Sequence, residues 1–133
     1  MPGPAVVLQP NAGWQAPGSG AQWIGPKGGG STGTAGDYTY ETCFCLEEGF
    51  SPPQLDLTLR GDNNIKGVTL NGCQLLPTPG GVFSGTAAHV QGAKSECFQP
   101  GENCIDVTVH NQGGPTGLSV VGKVNAENGL CCE

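Results

Sequence analysis

The chain has 133 residues, of which only 12% are charged, and its net charge is −6. This length suits one domain with a single core, and an acidic chain is a poor partner for nucleic acid or for an anionic membrane surface. No stretch approaches the ~20 apolar residues that cross a bilayer, so no membrane insertion is expected. The chain contains 24 Gly and 11 Pro. They separate short runs of Val, Leu, Ile, Thr and Tyr, which is a pattern of turns between strands.

Residues 1–20 form a predicted N-terminal arm rich in glycine and proline, and residues 21–133 form the predicted domain with its cysteine-containing tail. The arm carries the apolar run Ala5, Val6, Val7 and Leu8. This run is predicted to act in assembly, by adding a strand to the sheet edge of a neighbouring copy, or else to cover its own sheet. Trp23 is expected to fill one end of the core. Trp14, flanked by Gly13 and Pro17, is expected to be more open.

Alternation of apolar and polar residues predicts the strands of the domain. The clearest is Asp37 to Leu46, with Tyr38, Tyr40, Thr42, Phe44 and Leu46 on the inner face. Further strands are predicted at Gln54–Arg60, Ile65–Leu70, Cys73–Leu76, Val82–Phe83, Cys104–His110 and through Leu118, Val120 and Val124. Residues 84–102 give no clear pattern before a turn at 98–103. Because no helical periodicity lasts three turns, roughly eight short strands indicate a sandwich or barrel.

The cysteine count of the chain predicts disulfides and an oxidising compartment. The seven are Cys43, Cys45, Cys73, Cys97, Cys104, Cys131 and Cys132. Their spacing does not match the ligand spacing of zinc sites, so no metal is expected.

Cys43 and Cys45 point the same way on one strand and are too far apart to bond each other. Each therefore needs another partner, and Cys104 and the C-terminal tail are the candidates. Cys73 with Cys97 is the other pairing considered. An odd count leaves at least one thiol free or bonded to another chain, and Cys131 and Cys132 lie beyond the last predicted strand.

A polar turn follows the strand that ends at Arg60. Asp62, Asn63 and Asn64 carry the oxygen ligands that calcium takes, and together with Trp14 they could hydrogen-bond and stack on a sugar. The same residue types are also common in turns that bind nothing. The chain has no H-E-x-x-H, and His89 and His110 lie far apart in sequence. We therefore expect no enzyme activity.

The order of elements carries a resemblance from residue 21 to 124. The matching pieces are Trp23-Ile24, Gly36-Asp37-Tyr38-Thr39-Tyr40, Asp62-Asn63, Val68-Thr69-Leu70-Asn71-Gly72, Pro100-Gly101-Glu102-Asn103, Ile105-Asp106-Val107-Thr108-Val109 and Asn111 to Gly117. In this order they resemble a galactose-binding-like jelly roll of secreted and surface proteins. The resemblance implies a sandwich whose loops often bind sugars or calcium.

The sequence thus predicts an all-β, jelly-roll β-sandwich of about eight short antiparallel strands. The predicted function is a non-catalytic structural subunit of an extracellular filament, surface layer or virus particle, reinforced by disulfides and bound to copies of itself or to neighbouring subunits. The alternative is a carbohydrate-binding, lectin-like module that uses Trp14, Asp62, Asn63 and Asn64. No cofactor is expected apart from the calcium alternative at that turn. The predicted location is extracellular, at the cell surface or in a virion, although residues 1–10 lack the features of a signal peptide.

Overall fold

The computed structural model describes residues 5–8, 14, 22–26, 33–51, 53–76, 80–83, 86–92 and 95–125. Within these ranges the chain forms nine strands and one turn of 3-10 helix. The strands are β1 (Val6–Val7), β2 (Trp23–Gly25), β3 (Gly36–Leu46), β4 (Gln54–Asp62), β5 (Asn64–Leu70), β6 (Cys73–Gln74), β7 (Ala88–Gln91), β8 (Gly101–Asn111) and β9 (Gly117–Asn125), and the 3-10 turn is Ser95–Cys97. No helix among the described residues is long and apolar enough to cross a membrane.

The strands form two antiparallel sheets. The first has the order β1-β2-β9-β4-β7 and the second the order β3-β8-β5-β6. The predicted all-β sandwich is therefore confirmed. The predicted strand Asp37–Leu46 is confirmed as β3 with one residue added. The strand predicted at Cys104–His110 is longer than expected, because β8 pairs with β3 in one unbroken register from Gly36 opposite Asn111 to Leu46 opposite Gly101.

The main core lies between the sheets and follows the period of two that strands impose. Leu55, Leu57 and Leu59 of β4 are all buried, as are the alternate residues Ile105, Val107 and Val109 of β8. Leu118 is buried as well, while Val120 and Val124 are partly buried against the same cluster. The inward faces predicted for these strands are therefore confirmed.

A second, smaller core lies on the outer face of the five-stranded sheet. Ile24 pairs with Leu118, which faces the main core, so the neighbouring pair Trp23 and Ser119 faces outward. Trp23 is nevertheless only 1% exposed, because it packs in a cluster with Leu8 and Trp14. Trp23 was predicted to fill one end of the sandwich core, and this prediction is wrong. The side chain is buried on the outer face of the sheet, against Leu8 and Trp14 of the arm.

Two other local predictions differ from the structure. The turn expected after Arg60 is much tighter, because β4 continues to Asp62 and β5 begins at Asn64. Val82 makes only an isolated bridge, to Gly61. The strand of that region is β7 at Ala88–Gln91, where Ala88 and Val90 are buried and His89 and Gln91 are exposed.

Candidate functional site

The two residues predicted to contact a sugar most directly contact each other. Trp14 Nε1 donates a 2.6 Å hydrogen bond to Asp62 Oδ2, and the Trp14 ring lies 4.4 Å from the Trp23 ring, centroid to centroid. Trp14 is only 8% exposed and Asp62 only 7%. The open position expected for Trp14 is therefore wrong, because the indole is buried between a tryptophan ring and a carboxylate and presents no free face for a sugar.

The rest of the predicted polar turn is occupied by contacts within the protein. Asn63 Oδ1 accepts a 2.7 Å hydrogen bond from the Gln112 amide, and the Asn64 amide donates to the Ile65 carbonyl at 3.3 Å. With Asp62 Oδ2 held by the Trp14 indole, two side-chain oxygens of the turn already accept protein N–H groups. The calcium alternative at this turn stays a prediction.

Disulfides join the sandwich at two places that the sequence singled out. Cys43 on β3 is bonded to Cys104 on β8, directly opposite it in the register, and Cys73 is bonded to Cys97. Cys45 is also disulfide-bonded. These bridges fit a protein of an oxidising compartment. Cys131 and Cys132 lie outside the described residues.

The apolar run of the arm pairs within its own chain. Val6 lies opposite Gly25 and Val7 opposite Ile24, so β1 becomes the edge strand of the five-stranded sheet. Leu8 continues this contact, because its amide donates to the Trp23 carbonyl at 2.9 Å. Within the single chain, these residues therefore extend their own sheet at one edge, and the predicted exchange with a neighbouring copy stays a prediction.

An open groove runs along one side of the sandwich, where the edge strand β3 faces β2 and β9. We call it the edge groove. Its apolar half, with a volume of about 370 Å³, lies between the sheets. This half is lined mainly by Ile24, Tyr40, Phe44, Leu118, Val120 and Val124.

The polar half of the edge groove adjoins the apolar half at Ile24, Tyr40 and Glu41, and its volume is about 740 Å³. It is lined by Ala5, Gly25, Pro26, Asp37, Tyr38, Thr39 and Asp106 in addition to these three residues. Aromatic rings, carboxylates and a hydroxyl therefore meet on one open surface. Such a combination provides both stacking surface and directional hydrogen bonds.

The carboxylates of the polar half differ in their electrostatic surroundings. Asp37 contacts Lys66 Nζ at 2.5 Å and His110 Nδ1 at 2.9 Å, and hydrogen bonding to these two groups lowers the pKa of Asp37. Glu41 lies opposite Asp106 across the strand pair. The hydrogen bond and charge repulsion between these two carboxyls raise the pKa of Glu41, so this rim of the groove takes up a proton more readily than an isolated glutamate does.

Two tyrosines on the inner face of β3 line the groove. The Tyr38 hydroxyl donates a 2.7 Å hydrogen bond to the Thr34 carbonyl, which fixes the ring at the rim. The Tyr40 hydroxyl is buried and has no hydrogen-bond partner among the residues that the structure describes. Burial raises the pKa of Tyr40 to about 12. A buried hydroxyl without a partner costs free energy, so a ligand that reached it with an acceptor would gain a hydrogen bond.

Sequence reasoning missed this groove because it assigned Tyr38 and Tyr40 to the core. The assignment of the face is right, but β3 is an edge strand and its inner side is only partly covered. The sequence signal that could have found the groove is the residue type. Tyrosines stand at these inner positions where β4 has leucines, and tyrosine is usual where one end of a side chain stays near water.

Comparisons with known proteins give one informative match. No protein-family model matches the chain, and no curated protein matches it. A solved structure, that of a Streptomyces avermitilis alpha-L-rhamnosidase complexed with L-rhamnose, superimposes with a TM-score of 0.61 at 18% identity. The match covers 89% of this chain but only 12% of that chain. It shows a shared fold with a small part of a much larger protein.

Proposed function

We propose that the chain is a non-catalytic carbohydrate-binding module of an extracellular protein and that the edge groove holds the glycan. The observation that carries the proposal is the polar half of that groove, where Tyr38 and Tyr40 lie beside Asp37, Glu41 and Asp106. Protein sites for sugars combine an aromatic surface with a few fixed polar groups. The fold shared with part of a rhamnosidase supports the same proposal.

The charge of the groove narrows the class of glycan. Asp37 is paired with a lysine and a histidine, whereas Glu41 and Asp106 face each other, and the whole chain carries a net charge of −6. A glycan rich in uronic acids would bring further negative charge to this rim and would be repelled. The proposed ligands are therefore neutral glycans.

Affinity electrophoresis in native gels tests the proposal. One set of gels contains neutral polysaccharides, including one rich in L-rhamnose, and a further gel contains polygalacturonate as the acidic comparison. We expect retardation in at least one neutral gel and none in polygalacturonate. Tyr38→Ala should weaken binding about tenfold, which corresponds to ~1.4 kcal/mol, whereas Tyr38→Phe, which keeps the ring, should bind almost normally. His89→Ala, on β7 of the other sheet, is the matched control. Equal mobility of the protein in every gel would refute the proposal.

The second candidate is the assembly subunit predicted from the sequence, in an extracellular filament, surface layer or virus particle. One observation favours it. Seven cysteines cannot all pair within one chain, so one thiol is available for a covalent link to a further copy. A ladder of species in non-reducing electrophoresis, collapsing to one band with reductant, would support assembly. A monomer that binds polysaccharide would support the binding module.

A further inference from the structure

The two halves of the edge groove differ in chemistry but are continuous. Both halves are lined by Ile24 of β2 and by Tyr40 and Glu41 of β3, and β2 and β3 belong to opposite sheets. Side chains from both sheets therefore form the junction between the halves. A molecule that lies in the polar half borders the apolar half across this junction, so one ligand can contact both.

The apolar half suits an uncharged, apolar group. Its lining includes Leu57, Ile105 and Val107, which belong to the main core. Among the described residues that line this half, Glu41 at the junction alone is charged. Sugar hydroxyls placed against such a surface would lose their hydrogen bonds to water without equivalent partners, which is unfavourable. The sugar of a bound glycan therefore belongs in the polar half.

The size of the apolar half indicates how large the apolar group is. Its volume is about 370 Å³, whereas a water molecule occupies about 30 Å³ in the liquid. A methyl or acetyl group would leave most of this space to water. A chain of about six carbons or one aromatic ring would fill about half of it, and each CH₂ group removed from water strengthens binding about fourfold.

We propose that the glycan held in the edge groove carries an acyl ester, with the acyl chain or ring in the apolar half and the sugar in the polar half. This assignment of both halves to one ligand rests on the proposed function. The recognised feature is an apolar ester of a sugar hydroxyl, and aliphatic and aromatic acyl groups share that chemistry.

The charges of the groove favour an ester over other apolar ligands. Asp37, Glu41 and Asp106 line the polar half, where carboxylates accept hydrogen bonds from sugar hydroxyls. An ester adds an apolar group without adding charge, whereas a free fatty acid would bring a carboxylate towards Glu41 and Asp106 and would be repelled. Repulsion also disfavours a second copy of this chain, whose net charge is −6. A neutral sugar with an apolar ester complements both halves.

Affinity electrophoresis tests the proposal with each neutral polysaccharide of the gel series in three forms: unmodified, partly hexanoylated and partly benzoylated. Mobility measured against polysaccharide concentration gives an apparent dissociation constant for each form. We expect at least one ester form to bind about tenfold more tightly than the unmodified polysaccharide, the effect of burying about two CH₂ groups. Tighter binding of the hexanoyl form would identify an aliphatic acyl group, and tighter binding of the benzoyl form an aromatic one.

Two variants of adjacent residues locate the acyl group. Val120 lines the apolar half, whereas Val121 follows it on β9 and lies on the opposite face of the strand. Val120→Thr replaces a methyl group with a hydroxyl at nearly constant shape. We expect it to lower the preference for the ester form, measured as the ratio of the two dissociation constants, about fourfold. Val121→Thr is the matched control and should leave this ratio unchanged.

The outcomes separate the acyl group from glycan binding as such. Equal binding of unmodified and esterified polysaccharides would leave glycan binding in place and overturn the proposal of an acyl ester. Absence of binding to every form would overturn both. An unchanged ratio in Val120→Thr, or an equal fall in both variants, would show that the acyl groups bind outside the apolar half, which would also overturn it.

Discussion

At the scale of single residues, the contact between Trp14 and Asp62 ties the N-terminal arm to the domain. Both side chains are buried, and the indole N–H is held at 2.6 Å from the carboxylate. A buried acceptor that loses its donor costs about 1–3 kcal/mol. This hydrogen bond is therefore the point at which a small chemical change should have the largest effect on the arm.

The substitution Trp14→Phe removes the indole N–H and keeps an aromatic ring. We expect the free energy of unfolding of the outer cluster, followed through the fluorescence of Trp23, to fall by about 1–3 kcal/mol at pH 7, since the Asp62 carboxylate stays buried without its donor. Urea denaturation measures the change. Phe83→Leu, a substitution at the partly buried margin of the same cluster, is the control for lost packing alone. A Trp14→Phe variant as stable as the wild type would show that the hydrogen bond contributes nothing.

Asp62 also makes the stability of the protein depend on pH. Burial raises the pKa of Asp62 above 3.8, and the Trp14 hydrogen bond opposes this only in part. Between pH 3.8 and the raised pKa, the folded protein binds more protons than the unfolded chain. The contribution of Asp62 to the free energy of unfolding therefore falls as the pH rises through that window. It stays low at higher pH.

Replacing Asp62 with Asn removes this dependence, because the amide oxygen still accepts from the indole but carries no charge. We expect Asp62→Asn to be as stable as the wild type at pH 7 or more stable, and to lose the Asp62-dependent decline with rising pH. Denaturation midpoints measured from pH 3.5 to pH 7 test this, with Asp56→Asn, an exposed aspartate of the same strand, as the control. A destabilised Asp62→Asn at pH 7 would mean that the ionised carboxylate is needed.

At the scale of elements, the pairing of β3 with β8 is reinforced by a covalent bond. The Cys43–Cys104 bridge spans 61 residues of sequence, compared with 24 for Cys73–Cys97. A cross-link lowers the entropy of the unfolded chain more when it closes a longer loop. In this model the longer loop contributes about 0.8 kcal/mol more, within a total of about 2–4 kcal/mol for each bridge.

Two double variants compare the bridges. Cys43→Ala with Cys104→Ala should lower the free energy of unfolding by about 2–4 kcal/mol, and Cys73→Ala with Cys97→Ala by somewhat less. Guanidinium denaturation of both variants measures the difference. Cys97 is also buried in the core, so its replacement by alanine adds a packing loss. If Cys73/Cys97 proves the costlier pair, packing outweighs the loop-closure effect.

Alternation predicted the strands whose two faces have different surroundings. β4 and β8 have one face in the main core and the other towards solvent, so their residues repeat with a period of two. β2 has no such contrast, because the arm covers its outward Trp23 while Ile24 faces the groove. The edge groove could not be predicted from alternation either. The exposure of Tyr38 depends on the order of the strands in the sheet, and that order is set by pairing between residues far apart in sequence.

At the scale of the whole molecule, the five-stranded sheet lies between two cores of unequal size. The main cluster contains sixteen buried residues, whereas the described part of the outer cluster contains only Leu8, Trp14 and Trp23. The outer cluster also contains both tryptophans of the chain. Tryptophan fluorescence therefore reports on the outer core, while the far-ultraviolet circular dichroism signal of the strands reports mainly on the sandwich.

We expect the two signals to separate on heating. The outer core should melt first, since a smaller buried apolar area supplies less stability, and local openings of this kind are usual in weakly packed regions. The fluorescence midpoint should then lie below the circular dichroism midpoint, and Trp14→Phe should widen the gap by lowering the fluorescence midpoint alone. Leu57→Ala, which makes a cavity in the main core, should lower the circular dichroism midpoint instead. Coincident midpoints in all three proteins would show that arm and sandwich unfold as one cooperative unit.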